Sequence, residues 1–234
     1  MSETRILVVD DEPKLVNLLY EVLTASGYTV LSARSGEKAI ELIAKEQPDL
    51  VLLDIVLAKE VDGFDVARRV RKFSGVPIIM LTAKVRESDL LRGFDVGADD
   101  YLTKPFSSKE LLVRVQAVLK RASDSVPVTI EEDIVCGTLH IDTSRMRVTV
   151  DGERVKLTRT EYNLLHVLAT NRNRVMLHGQ LLSTVWGPEY RDDIDYLRAY
   201  IRYLRRKLES DPANPQYVIT HQGVGYMLEC PEES

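Results

Sequence analysis

The chain has 234 residues, 44% of them hydrophobic and 29% charged, a globular composition long enough for two ordinary domains. A formal net charge of −5 excludes nucleic-acid binding by bulk charge, and no apolar run approaches the ~20 residues a membrane helix needs. Cys136 and Cys230 lack CxxC spacing and His140, His166, His178 and His221 lack ligand spacing, so no structural zinc site is expected. The cysteines read as separate thiols of a reducing cytoplasm. Met1–Arg5 leads straight into a strand without the layout of a signal peptide, so a cytoplasmic protein is expected.

The first half alternates two grammars. Short apolar runs at Arg5–Asp10, Thr29–Ala33, Leu50–Asp54, Ile78–Thr82 and Tyr101–Lys104 read as strands buried on both faces. Helical patterns at Pro13–Ser26, Gly36–Glu46, Gly63–Phe73, Glu87–Val96 and Ser108–Arg121 separate them. Five βα units predict an α/β domain over residues 1–122, a doubly wound five-stranded parallel sheet. Residues 123–130, polar and broken by Pro127, read as a linker.

Polar residues close these runs. Asp10 and Asp11 follow Ile6–Val9, Asp54 ends Leu50–Leu53, Thr82 ends Ile78–Leu81, and Lys104 follows Tyr101–Thr103. Functional groups in open α/β sheets gather beyond the carboxyl ends of the strands, so all five are expected to meet. Neighbouring carboxylates repel unless a cation is shared, and hard oxygen ligands suit Mg²⁺. A free carboxylate beside a lysine and a hydroxyl can accept a phosphoryl group as an acyl phosphate.

Asp10-Asp11, Asp54, Thr82-Ala83, Gly97–Tyr101 and Lys104-Pro105 together resemble the receiver domain of bacterial response regulators. The resemblance implies that Asp54 takes a phosphoryl group from a sensor histidine kinase. Asp11 and Asp54 would ligate Mg²⁺, with Asp10 acting through water and the Val56 carbonyl adding a ligand. Thr82 and Lys104 would grip the phosphoryl group, Tyr101 would be an aromatic switch, and Lys104–Pro105 would be cis. A dimer face used on phosphorylation would set Asp95, Asp99 and Asp100 opposite Arg114 and Arg121, with Glu110 beside them. Such a domain is no enzyme toward other substrates and promotes only its own Mg-dependent phosphorylation and dephosphorylation. The chain departs from the family pattern at Ala58–Gly63, one residue longer than usual, and at Leu90, where a basic residue commonly pairs with the equivalent of Glu110.

The second half, residues 131–234, reads differently. Short strands at Ile134–Cys136, Thr138–Asp142, Met146–Val150 and Arg154–Leu157, with an Asp151-Gly152 hairpin turn, predict a small antiparallel sheet. Helices are expected at Arg159–Thr170, His178–Trp186 and Ile194–Glu209, and a closing hairpin joins Gln216–Thr220 to Tyr226–Glu229. On Ile194–Glu209 the residues Leu197, Ile201, Leu204 and Leu208 form one apolar stripe. Arg198, Arg202, Arg205 and Arg206 fall on an adjoining arc, with Tyr196, Tyr200, Tyr203 and Lys207 on the other flank. Such a helix fits a DNA major groove, its arginines bonding phosphates or guanine edges.

With Leu157–Tyr162, Leu181–Gly187, Tyr200–Glu209 and Gly223–Tyr226, this half resembles the α+β winged helix-turn-helix output domain of OmpR/PhoB regulators. The implied contacts to promoter double-stranded DNA are Arg198, Tyr200, Arg202, Arg205, Arg206, Thr220 and Gln222. Trp186 would add a backbone contact, and Pro188–Asp193 would be a loop that meets RNA polymerase. Gln222 stands where many relatives have arginine, and Met227 stands where arginine is also frequent. Asp195–Tyr200 and Asp211–Pro215 are similar to the potassium-responsive KdpE regulators. The whole is expected to be a phosphorylation-activated transcription regulator that dimerises and binds tandem sites.

Overall fold

The computed structural model describes residues 3–57, 61–83, 96–123 and 133–230. Its contacts divide the chain into two units, Met1–Ala122 and Ser123–Ser234. The predicted helix over Glu87–Val96 (Val96 apart), the loop residues 58–60, Leu90, Asp95 and most of the linker lie outside the described residues.

In the first unit β1 (Arg5–Val9), β2 (Thr29–Ala33), β3 (Leu50–Asp54), β4 (Ile78–Thr82) and β5 (Asp100–Thr103) form one parallel sheet in the order β2-β1-β3-β4-β5. Every residue of β3 and β4 is buried, which explains their unbroken apolar character. Helices α1 (Pro13–Ala25), α2 (Gly36–Glu46), α3 (Gly63–Val70) and α4 (Ser108–Ser123) lie against the sheet. Val16, Leu19 and Leu23 of α1 and Leu111, Val115 and Val118 of α4 pack with Ile6, Val8, Leu50, Leu52, Ile79 and Leu81. Alternate side chains along a strand face opposite ways, so Leu7, Val51 and Leu53 are left for the other layer.

Local chemistry sets the helix ends. Ser35 caps α2 by accepting from the Lys38 amide, and Asp62 caps α3 by accepting from the Asp65 amide. Gly63 lies so close under β3 that a Cβ there would overlap the Asp54 carbonyl oxygen, and its N–H donates to the Ile55 carbonyl. Helix α3 ends at Val70, three residues short of expectation, because the chain turns there. Arg71 reaches back from the turn to the carbonyls of Val76 (2.6 Å) and Gly97 (3.0 Å).

The second unit opens with an antiparallel sheet, β6 (Ile134–Cys136), β7 (Leu139–Asp142), β8 (Arg147–Val150) and β9 (Glu153–Val155), in sequential order. Asp151 and Gly152 turn β8 into β9 with φ of 52° and 79°, the type I′ geometry that Asp-Gly favours. Then come α5 (Arg159–Thr170), β10 (Met176–Leu177), α6 (His178–Val185), a 3₁₀ turn at Pro188–Tyr190, and α7 (Ile194–Leu208). The hairpin of β11 (Val218–His221) and β12 (Gly225–Leu228) pairs through β12 with β10. A Cβ at Gly225 would overlap the Met176 carbonyl oxygen, so glycine is needed where these strands cross. Helix α5 begins with a capping box, Thr158 accepting from the Glu161 amide and Glu161 accepting from the Thr158 amide.

The cysteines correct the sequence reading. Cys136 ends β6 and Cys230 follows β12, and the fold brings these cysteines, 94 residues apart in sequence, to a Cα–Cα distance of 4.8 Å, within reach of a disulfide. Sequence spacing carries no information about such a long-range neighbour.

Candidate functional site

The parallel register builds the first site. Val9 is level with Leu53 and Asp54 with Leu81, so Asp10, Asp54 and Thr82 leave adjacent strands at one edge. The strand order reverses direction between β1 and β3, where an open α/β sheet leaves a crevice. Asp10, Asp54 and Thr82 are buried, and Asp11 is half-buried. Oxygens of Asp10, Asp11 and Asp54 lie within 4.8 Å of one another. The Lys104 ammonium donates to Asp10 at 2.8 Å and stands 3.0 Å from Asp54. The Lys104–Pro105 peptide bond is cis, as the resemblance implies.

Burial dominates the electrostatics of Asp54 and pushes its carboxyl up to about 6, with the Asp10 charge adding to the rise. Lys104 and the Val56 amide pull the other way, and burial outweighs them. Burial works against the Lys104 charge too, but the bonds to Asp10 and Asp54 prevail and hold its pKa above the usual value. Among the described residues, three acidic groups against one ammonium leave the pocket short of positive charge. Its donors are all hard carboxylate oxygens within reach of one small ion, a set that fits a divalent cation of the Mg²⁺ class. Val56 lies on the exposed rim two residues past Asp54.

Tyr101 is buried within β5 at 4% exposure. The charged face expected around β5 and α4 is partly redrawn. Asp100 is fully buried, 3.2 Å from Arg114 and 3.9 Å from Arg121, and Arg114 is 3.6 Å from Glu110, all in one chain. Asp99 does not join them. Its carboxylate accepts from Arg71 of the turn after α3 at 2.8 Å and from the Ile78 amide at 2.9 Å. Asp99 and Asp100, adjacent in sequence, thus meet different partners. Sequence reasoning missed Arg71, which reads there as one of several helix charges.

In the second unit α7 buries Leu197, Ile201, Leu204 and Leu208, as the stripe predicts. Arg198, Arg202 and Arg206 are exposed at four-residue spacing, one continuous outward face. Arg198 is 2.8 Å from Asp195, and its charge lies close enough to Tyr226 to oppose the rise that burial gives the phenol. Arg205 is turned inward, donating from Nε and Nη2 to the Val218 carbonyl (2.9 and 2.6 Å) and from Nη2 to the Thr220 hydroxyl (2.7 Å). Thr220 and Gln222 are exposed on the hairpin.

Two expected DNA contacts are corrected. Tyr200 is 1% exposed, its ring centroid 4.8 Å from that of Trp186 and 5.2 Å from that of Tyr196. Trp186 is 2% exposed in the same aromatic cluster. Both fill the space between α6 and α7, because the helix-turn-helix needs an apolar hinge there. Lys207 is likewise committed, bonding the buried Glu161 carboxylate at 2.6 and 2.8 Å and tying α7 to α5.

A strand-edge acidic pocket and an arginine-faced helix beside a hairpin define a receiver joined to a DNA-binding output module. Residues 6–116 match the response regulator receiver domain and residues 152–228 match the C-terminal domain of transcriptional regulatory proteins. The response regulator DrrB, a Thermotoga maritima OmpR/PhoB homologue, is 30% identical over 97% of this chain and 100% of its own, with a TM-score of 0.52. A RitR mutant is 28% identical over 97% of this chain and 100% of its own, with a TM-score of 0.71. A two-component response regulator from Clostridium difficile matches at 30% identity over 52% of this chain and 100% of its own, with a TM-score of 0.50. The chain belongs to the OmpR/PhoB family of two-component response regulators, which are DNA-binding transcription regulators. No helix among the described residues is long and apolar enough to cross a membrane.

Proposed function

We propose that Asp54 is the phosphoacceptor through which a sensor histidine kinase controls DNA binding by the second unit. The observation that carries this reading is Lys104 held within 3.0 Å of both Asp10 and Asp54 at the edge of three adjoining strands. An Asp54 carboxylate oxygen attacks the phosphorus of a phosphohistidine. The P–N bond breaks, its electron pair stays with the imidazole nitrogen, and an O–P bond forms. Lys104 stands between Asp10 and Asp54, where its ammonium can follow the incoming phosphoryl oxygens, and Thr82 ends the adjoining strand. Asp10, Asp11 and Asp54, with the Val56 carbonyl, would hold Mg²⁺, which when bound neutralises phosphoryl and carboxylate oxygens. The domain promotes only its own phosphorylation and dephosphorylation.

Phosphorylation then favours a homodimer through the surface of α4, with Glu110, Arg114 and Arg121 at that face and the buried Asp100 holding the two arginines in place from within. Pairing two output domains raises the effective concentration of each on tandem promoter half-sites. The turn over Pro188–Asp193, whose Glu189, Arg191, Asp192 and Asp193 are exposed, is suited to meeting RNA polymerase. The setting is the cytoplasm. Acetyl phosphate with Mg²⁺ should label the wild-type chain at Asp54 and fail to label Asp54→Asn. Undiminished incorporation into the variant would remove Asp54 from its role.

A further inference from the structure

Helix α7 and strand β11 meet through polar bonds with a regular arrangement. Among the described residues strand β11 is an edge that pairs with β12 alone, so its outer backbone groups need partners elsewhere. Arg205 of α7 and Glu209 at its C-cap, four residues apart, supply them. Arg205 donates twice to the Val218 carbonyl, and Glu209, just past the helix end, accepts the Val218 amide at 2.9 Å. Glu209 also accepts the amides of Gln216 (2.8 Å) and Tyr217 (3.0 Å). Val218 is fully buried, so its outer amide and carbonyl need these protein partners. The third Arg205 bond goes to the Thr220 hydroxyl at 2.7 Å. A hydroxyl that accepts from a guanidinium keeps its single proton to donate outward.

We infer that Arg205, with Glu209, is a positioning residue that fixes the wing to the recognition helix and aims the Thr220 hydroxyl at DNA, rather than a phosphate contact itself. This rests on reading α7 as the helix that meets DNA. Gln222 lies four residues beyond Val218, a lever of about 13 Å at strand rise, so a tilt of about 10° at Val218 displaces the wing tip by about 2 Å, enough to break a hydrogen bond there. The planar fork of arginine suits this work. A lysine ammonium keeps the charge but cannot make the three-bond pattern.

The test is a NaCl titration of binding by the full chain to a duplex that the chain itself enriches from a randomised pool. Each phosphate contact contributes about one unit to the slope of log K against log salt. Arg202→Ala, on the exposed face, should flatten the slope by about one, which checks the reading of α7. Arg205→Ala should lower affinity about tenfold and leave the slope at its wild-type value. Arg205→Lys should behave like Arg205→Ala, and Thr220→Val should cost little more once Arg205 is gone, since paired groups are not additive. A slope flattened by about one in Arg205→Ala, or wild-type affinity in Arg205→Lys, overturns the positioning role while leaving the helix assignment intact. If the wild-type chain enriches no duplex, or if Arg202→Ala leaves the slope unchanged, the helix assignment fails and the inference with it. Should Arg205→Ala unfold the domain, Arg205→Lys and Thr220→Val decide the question by the same readout.

Discussion

Asp54→Asn should stabilise the metal-free first unit at neutral pH. The folded carboxyl has a pKa of about 6 against 3.8 for the free group, and burial is the main cause. Between these values the folded state binds more protons than the unfolded one, so stability falls as pH rises through that window. Two pK units correspond to about 3 kcal/mol as an upper limit. Because the site opens partly to solvent, about 1–2 kcal/mol is the realistic gain from removing the charge. Asparagine keeps an oxygen to accept from Lys104 and removes only the charge. Differential scanning calorimetry of the full chain in chelator should show the receiver transition about 4–8 °C higher in the variant near pH 7.5. The two proteins should coincide near pH 4, where the carboxyl is largely protonated in the folded state and about half protonated in the unfolded state. The receiver transition is the one that Mg²⁺ raises in the wild type, and Mg²⁺ should raise it much less in Asp54→Asn. An equal or lower midpoint for the variant near pH 7.5 would refute a charge held at the expense of stability.

Gly63→Ala should destabilise the first unit by about 1–3 kcal/mol, since a Cβ overlaps the Asp54 carbonyl and α3 must move off β3. The same shift should slow acetyl-phosphate labelling of Asp54, and a variant with wild-type melting and labelling would show that the contact is soft. Glu161→Ala removes both a helix cap and the partner of Lys207, and should cost the second unit about 2–4 kcal/mol. Urea unfolding followed by the fluorescence of Trp186, the one tryptophan of the chain, reads this unit alone, and an unchanged midpoint would contradict the role of the pair.

The alternation of apolar runs and helical patterns was enough to place five parallel strands and the residues that end them, because a strand buried on both faces leaves an unbroken apolar signature. Asp10, Asp54, Thr82 and Lys104 were legible for the same reason: a polar residue closing such a run has nowhere to point but the sheet edge. The apolar stripe of Ile194–Glu209 was legible from its helical spacing. Strand β10 was not, since two residues carry no period and pair only because the β11–β12 hairpin comes alongside.

Pattern and spacing along the chain were sufficient for the two-domain organisation, the acidic pocket and the exposed face of Arg198, Arg202 and Arg206. Packing in three dimensions settled which charged and aromatic residues face outward and which are consumed inside. Arg205 goes to Val218 and Thr220, Lys207 to Glu161, Asp99 to Arg71, and Tyr200 and Trp186 to each other. These partners are 13 to 46 residues apart. Helical periodicity records the angle at which a side chain leaves its own axis. It holds no information about which distant group waits there, and burial with a partner or exposure to DNA is settled by that group.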